Sequence, residues 1–430
     1  MDLHITGAEA TEAERAAVDA VLGPPTSGWH GARRDIARDG RSGTGGRAAQ
    51  DRRHQLLPAL HAVQDRIGWI SHGALNYICE RLSVPPAEAW GVVTFYDLLA
   101  TDERPVAVAH VCDDIACRLH GADQMCRTLE ARLGEAVRRS PCLGMCDRGS
   151  AALVTRAGPS TERFVIAPAT VDAVADAVSG TLSAASTLGT VSGAKLLKRI
   201  GHVDPTNLNA YRTSGGYQAL SRAIALGPSG VIAEVTASKL MGRGGAAFPT
   251  GRKWESVSRE AARPHYVVCN ADESEPGTFK DRVLMEGDPF AIVEAMTICA
   301  LATGGERGFL YIRGEYPLAE ARMAGAIAQA RAAGLLGANV AGAGFRFDIE
   351  IRRGGGAYIC GEETALFNSI EGKRGEPRSK PPFPAQVGVF GKPTVVNNVE
   401  TLANVPHILV EGAATWAGTG TPESTGTRLF

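Results

Sequence analysis

The sequence predicts an α/β protein with two principal domains, and three observations predict it. Apolar residues recur three and four apart in "LLPALHAVQDRIGWI" and "ALNYICERL", which is the spacing of helices that bury one face. "RPVAVAHVC", "AALVT" and "RFVIA" are short apolar or alternating runs separated by turn residues, the pattern of strands in a small α/β domain over residues 104–178. Beyond residue 195, strand candidates such as "HYVVCNA" and "GFLYIRGEY" alternate with helical stretches such as "LAEARMAGAIAQARAAG", which favours a parallel sheet with crossover helices.

The elements follow in order. Residues 1–50 read as a mobile N-terminal lead, because "PPTSGWHGARRDIARDGRSGTGGRAAQ" is rich in Gly, Pro, Ser and Arg and carries no apolar period. Residues 51–180 hold a helical bundle, with "PPAEAWGVVTFYDLL" opening a helix on its prolines, followed by the small α/β domain. "GTLSAASTLGTVSG" has tether composition and marks a linker over 181–195, and residues 196–430 form the larger α/β domain.

With 430 residues and 44% hydrophobic content the chain can bury a large core. A net charge of −1 and dispersed cations leave no electrostatic footprint for nucleic acid or anionic lipid. The N-terminus lacks a basic-then-apolar signal pattern, and no apolar run is long enough for a bilayer, so the expected address is the cytoplasm, without membrane insertion. Nine cysteines are too few for a disulfide scaffold and point to metal binding, catalysis or packing.

Four of them form two close pairs, Cys112 and Cys117 in "CDDIAC" and Cys142 and Cys146 in "CLGMC". Four soft thiolates from two loops suit a [2Fe–2S] cluster, with Gly121 and Gly144 letting backbone amides approach the sulfurs. Zinc is the competing metal, although its sites prefer C-x2-C pairs, and unligated thiols are the third reading. Cys79, Cys126 and Cys299 fall inside helical patterns and read as buried hydrophobes, and Cys269 and Cys360 as packed neutral thiols.

In the larger domain, "GRGGAAFPTGRKW" leaves backbone bare where amides can reach a phosphate or a flat ring can lie, though an ordinary tight turn has the same look. "CNADESEPGTFKDR" packs four carboxylates, two cations, an amide and a thiol directly behind an apolar strand. "RRGGGAYICGEETALF" carries a glycine run, an aromatic and paired glutamates opening a helix. Asn397 and Asn398 in "VVNNVET" stand where a helix begins, as caps or as donors to a phosphate.

These motifs, with "KPPFPAQVGVFGKPT", resemble the flavin- and NADH-binding subunit of respiratory complex I and of the diaphorases of NAD-linked hydrogenases and formate dehydrogenases. "HGALNYICERL", "WGVVTFYDLL" and the four-cysteine spacing resemble the companion thioredoxin-like [2Fe–2S] subunit. Together the resemblances cover roughly residues 51–430, and their fusion in one chain is similar to hydrogenase and formate dehydrogenase diaphorases. The fold implied is a helical bundle plus thioredoxin-like [2Fe–2S] domain, then an α/β FMN-binding domain with a parallel sheet.

The activity implied is that of an FMN-dependent NADH dehydrogenase, or diaphorase. It would work with other redox subunits: a molybdenum formate dehydrogenase most of all, alternatively a hydrogenase or a complex I arm; a non-catalytic assembly or electron-transfer subunit is the contrasting reading. The resemblance implies FMN or NAD contacts at Gly242, Arg243, Gly244, Gly245, Lys253, Asn270, Asp272, Tyr358, Gly361, Glu362, Glu363, Asn397, Asn398 and Thr401. Glu273 and Glu275 would lie near the nicotinamide and ribose, with Phe248, Lys380 and Phe383 at the adenine end. No side chain is expected to be catalytic, since the flavin carries the chemistry. The acids should favour NAD over NADP. The family's "SCGxCxPC" run for a [4Fe–4S] cluster does not occur in these residues, so that cluster is expected only in a longer chain. Ala247 and Gly355 stand where the resemblance implies glycine and alanine, a change of one methyl each that should leave flavin binding intact.

Overall fold

A computed structural model describes residue 5 and residues 7–26, 51–181 and 195–430. The rest of the expected lead after residue 26 and nearly all of the expected linker lie outside the described residues. The chain falls into two compact units. Within the described residues, the first runs to residue 181 and includes Ser274–Gly277 and Arg353–Pro377, while the second takes the remainder from residue 195.

The lead is not uniformly irregular: Glu12–Leu22 is a helix, α1. Thr11 and Glu14 form a reciprocal capping box, and Val18 and Leu22, one turn apart, are buried. Glu14 also accepts from the Ser71 hydroxyl at 2.6 Å, and the Tyr77 hydroxyl donates to Asp19 at 2.9 Å. The Gly- and Arg-rich run that follows masks this short amphipathic signal in the sequence. Helix α1 packs on α2 (Leu56–Ile67) and α3 (His72–Leu82), and α4 (Pro86–Val93) starts on proline as expected.

Four strands follow: β1 (Ala107–Cys112), β2 (Val137–Ser140), β3 (Ala152–Arg156) and β4 (Glu162–Ile166), in the sheet order β2-β1-β3-β4. β1 pairs parallel with β2 and antiparallel with β3, and β3 antiparallel with β4. Helices α5 (Ala122–Leu133) and α6 (Val171–Ser179) bury Cys126, Leu129 and Val174 against Val111 and Val154 of the sheet. β1 therefore ends directly on Cys112.

A sequence boundary near residue 195 does not separate the units cleanly, because Arg353–Pro377 packs with the first one. The Leu98 N–H donates to the Gly355 carbonyl at 2.9 Å and the Tyr96 hydroxyl to Ser369 at 2.7 Å. A Cβ at Gly355 would stand 2.6 Å from the Cβ of Tyr96, so alanine is blocked there by packing.

The second unit begins with α7 (Gln218–Ala237), kinked at Gly227–Pro228, and α8 (Thr250–Ser258). Then come β5 (His265–Ala271), α9 (Lys280–Gly287), α10 (Pro289–Thr303), β6 (Gly305–Ile312), α11 (Pro317–Ala332), β7 (Asp348–Arg353), β8 (Thr394–Asn398) and α12 (Val399–Glu411). The sheet order is β7-β6-β5-β8, and β5 pairs parallel with both β6 and β8, as the alternation of strands and helices predicts. α10 is apolar all round because it is buried all round, and its one carboxylate, Glu294, accepts from the Tyr211 hydroxyl and the Tyr217 and Leu220 amides at 2.6–2.9 Å.

Among the described residues no helix is long and apolar enough to cross a membrane. The five cysteines outside the two close pairs are buried. Burial pushes the Cys79 thiol up to about 12 and Cys126 up to about 11, which keeps both neutral.

Candidate functional site

In the first unit, Cys112 lies at the end of β1, Cys117 in the short helix Ile115–Arg118, and Cys142 and Cys146 follow β2. The Cys142 and Cys146 sulfurs are 3.3 Å apart, and the Cys112 thiol bonds to both Cys117 and Cys142. The thiols therefore compete for one another's protons. Bonding to Cys117 pushes Cys112 up and bonding to Cys142 pushes Cys146 up, while the bond from Cys112 holds Cys117 down. A polycation at this point would allow all four to ionise.

Backbone amides also reach the sulfurs. The Gly144 N–H donates to Cys142 at 3.3 Å, Asp114 supplies one to Cys112 and Ala151 one to Cys117. Four soft, amide-solvated sulfurs fit an iron–sulfur centre. Gly144 supplies the approach expected of it and has φ of 68°. Gly121, with φ of 82°, instead opens α5.

In the second unit the polar residues gather where β5 and β8 end. Cys269 is in register with Asn397 and Asn270 with Asn398, so both Asn-bearing strands finish side by side at their carboxyl ends. In open α/β sheets this is the edge beyond which ligands bind. Asn398 caps α12, its Oδ1 accepting from the Glu400 N–H at 3.0 Å, and its Nδ2 donates to Asp281 at 2.5 Å. Asn397 turns inward: it is buried, its Oδ1 takes the Trp254 Nε1–H at 3.4 Å and its amide reaches the Cys299 sulfur. The Asn270 Oδ1 accepts from the Asp272 N–H at 3.2 Å.

The glycine loop lies in the same unit and is closed by a bridge between Met241 and Pro249. Gly244, Gly245 and Phe248 are exposed, so the backbone there is bare. Gly245 has φ of 104°, and a Cβ on Gly244 would come within 3.1 Å of the Asn398 Cβ, so the loop sits tight on the strand end as a cradle for a flat ligand would. Ala247 holds a left-handed φ of 51°, a conformation that glycine adopts without strain. The Lys253 ammonium donates to the Val396 carbonyl at 2.9 Å and lies 5.9 Å from the Phe248 ring centre.

The Arg243 guanidinium is committed elsewhere. It is buried and donates to the carbonyls of Met241, Thr425 and Thr427 at 2.9–3.1 Å, while its N–H donates to Thr401 Oγ1 at 2.8 Å. Gly242 lies beside Phe248, and the Gly242 N–H donates to the Phe248 carbonyl at 2.9 Å. Lys380 and Phe383 are both exposed.

The acids divide in the same way. Glu273 is buried, accepting the Asp281 and Arg282 amides at 2.8 and 3.0 Å and the Tyr316 hydroxyl at 3.2 Å, so it seats the start of α9. Burial, with Asp281 nearby, pushes Glu273 up to about 8. In the first unit Glu362 caps the helix Glu363–Ile370 through the Thr364 and Ala365 amides, beside the Tyr358–Gly361 turn, and Glu275 accepts from the Tyr358 hydroxyl at 2.6 Å. Sequence reasoning missed Lys280, whose buried ammonium pairs with Asp281 at 2.7 Å and Glu400 at 3.1 Å and reaches Asn398. Its position inside the acid-rich stretch, just before α9, is the signal that could have found it.

The raised Glu273 pKa has a sign. Between the ordinary carboxylate value, 4.5, and about 8 the folded protein holds a proton there that the unfolded chain has released. Folding stability therefore falls as pH rises through that window, by at most about 1.4 kcal/mol per pH unit from this group. Glu273→Gln is expected to flatten this slope, as read from thermal unfolding midpoints between pH 5 and 8. An unchanged slope assigns the pH dependence to other groups.

A buried cysteine quartet and a polar strand-end cradle together define an electron-transfer chain with a flavin- or nucleotide-type pocket. Comparison with known proteins is specific. Residues 46–163 match the thioredoxin-like [2Fe–2S] ferredoxin family and residues 235–407 the Nuo51 FMN-binding domain, and these segments belong to those two families.

The second of two F-type subunits of the NADH-quinone oxidoreductase of Rhizobium meliloti is 51% identical over 236 residues, covering 55% of this chain and 56% of that one. The NAD-reducing hydrogenase HoxS alpha chain of Cupriavidus necator is 36% identical over 400 residues, 88% of this chain and 65% of the relative. An NAD+-reducing [NiFe]-hydrogenase in its H2-reduced state superposes with a TM-score of 0.74 at 32% identity, over 87% of this chain and 64% of that chain. The chain thus spans about half to two thirds of the length of the relatives it matches.

Proposed function

We propose that the chain is an NADH dehydrogenase, or diaphorase, module that exchanges a hydride with NAD(H) at FMN and single electrons with iron–sulfur centres of a larger redox complex. The observation that carries this reading is the pairing of Asn270 with Asn398 at the carboxyl ends of β5 and β8, beside the bare loop Gly244–Phe248. FMN, when bound, supplies the two-electron to one-electron conversion.

The residues of this chain bind and orient. Gly244 and Gly245 offer bare backbone for a ring to lie against, and Asn270 and Asp272 are placed for hydrogen bonds to its polar edge. Asn398, Thr401 and the start of α12 bring partial positive charge to a phosphate. Lys253 adds a cation beside Phe248. Asn397, Glu273 and Arg243 act from behind, fixing β8, α9 and the loop. The resemblance assigns Glu275, Tyr358, Gly361, Glu362 and Glu363 to the same nucleotide chemistry, with Phe383 and Lys380 at the adenine end.

The purified protein, loaded with FMN, is expected to be yellow and to reduce ferricyanide with NADH. A protein that takes up no flavin, or holds it without NADH turnover, refutes the reading and favours an assembly role. The acid-rich surroundings should disfavour a 2′-phosphate. Glu363→Gln is therefore expected to raise NADPH use relative to NADH by about tenfold, the effect of one like-charge contact of roughly 1.4 kcal/mol. Unchanged selectivity in kcat/KM counts against that role. Fusion of the two domains in one chain favours an NAD-dependent formate dehydrogenase as the complex. Molybdenum in the co-purified assembly supports this, and nickel points to a hydrogenase instead.

A further inference from the structure

We infer that the backbone N–H of Gly277 sets part of the reduction potential of the cysteine-held cluster, acting on Cys146 from a loop remote in sequence. The inference rests on the reading of Cys112, Cys117, Cys142 and Cys146 as [2Fe–2S] ligands. Each of the four sulfurs accepts one backbone amide. Three of these donors, Asp114, Gly144 and Ala151, lie in the same domain sequence as the ligands. The fourth, Gly277, donates to the Cys146 sulfur at 3.3 Å across 131 residues of sequence.

Cys146 is also the one ligand that is not fully buried, so water would otherwise compete for its sulfur. The segment Ser274–Gly277 groups with the cysteine domain. It lies within the acid-rich stretch, and its Glu275 is tied to Tyr358.

Gly277 has φ of 91°, and nothing lies within 4 Å of where its Cβ would be. Glycine is therefore needed for the backbone angle that aims the N–H, and not for room. An N–H···S bond stabilises the more negative, reduced cluster more than the oxidised one and so raises the potential. A separate loop thus controls a property of a centre whose ligands it does not supply.

Two measurements on the cluster-loaded full chain decide the matter. With 15N placed only in glycine, pulsed EPR of the reduced cluster is expected to show coupling to two glycine amide nitrogens, those of Gly144 and Gly277. Gly277→Pro, which has no N–H, is expected to shift the EPR-monitored midpoint potential to more negative values. Gly277→Ala, which keeps the N–H at a strained angle, should retain more of the native potential. A single coupled glycine in the unaltered chain, or a proline variant with the native potential, overturns the inference. Absence of any cluster signal in the unaltered chain would instead overturn the cluster reading on which it rests.

Discussion

Cys142→Ser is expected to abolish the [2Fe–2S] absorption and EPR signals while leaving flavin bound at its native stoichiometry. Cys142 is the hub of the quartet: it is 3.3 Å from the Cys146 sulfur, contacts Cys112 and receives the Gly144 amide. A serine oxygen is a hard, weakly acidic ligand in place of a soft thiolate, and a binuclear cluster held by three sulfurs loses iron. The proposed flavin cradle around Gly244, Asn270 and Asn398 belongs to the second unit, whereas the cysteines belong to the first. Iron analysis beside flavin fluorescence reads both outcomes, and loss of FMN together with iron would contradict this division.

The second large effect is structural. Arg243→Ala removes a buried guanidinium that joins Met241, Thr425 and Thr427 through three carbonyls and lies 6.0 Å from the Trp416 ring centre. Each carbonyl left without a donor costs about 1 kcal/mol or more, and the void adds to it, so a loss of about 3 kcal/mol is expected. The glycine loop should loosen with it, weakening flavin retention. Arg243→Lys, able to satisfy only part of the set, should fall in between. Denaturant midpoints at constant slope test this, and an Arg243→Ala protein of native stability would mean that the three carbonyls find water at no cost.

Much of this was legible beforehand because chemistry constrains spacing. Two close cysteine pairs, in "CDDIAC" and "CLGMC", pointed to one centre, and the alternation of "HYVVCNA" with amphipathic helices predicted the parallel sheet. What a motif cannot show is which way each side chain turns. Asn397 and Asn398 are neighbours in sequence, yet strand alternation sends one inward to Trp254 and leaves the other at the rim. Glu273 and Glu362 look like ligands to a nucleotide, and both satisfy helix N-termini, a role set by the three-dimensional path of the chain. Helix α1 was hidden by the composition of the segment after it. Gly355 was read as a missing methyl of little consequence, but its reason is the Tyr96 ring system, far away in sequence and invisible to any local reading.

The assignment of Arg353–Pro377 to the first unit bears on how the protein can be divided. Severing the polypeptide between residues 181 and 195 would not free two independent pieces, because the carboxyl-terminal fragment carries the stretch in which Gly355 and Ser369 complete the amino-terminal fragment's packing at Tyr96 and Leu98. Two genes encoding these halves would have to produce partners that assemble as they mature, so joining them in one reading frame fixes their one-to-one supply rather than creating their association.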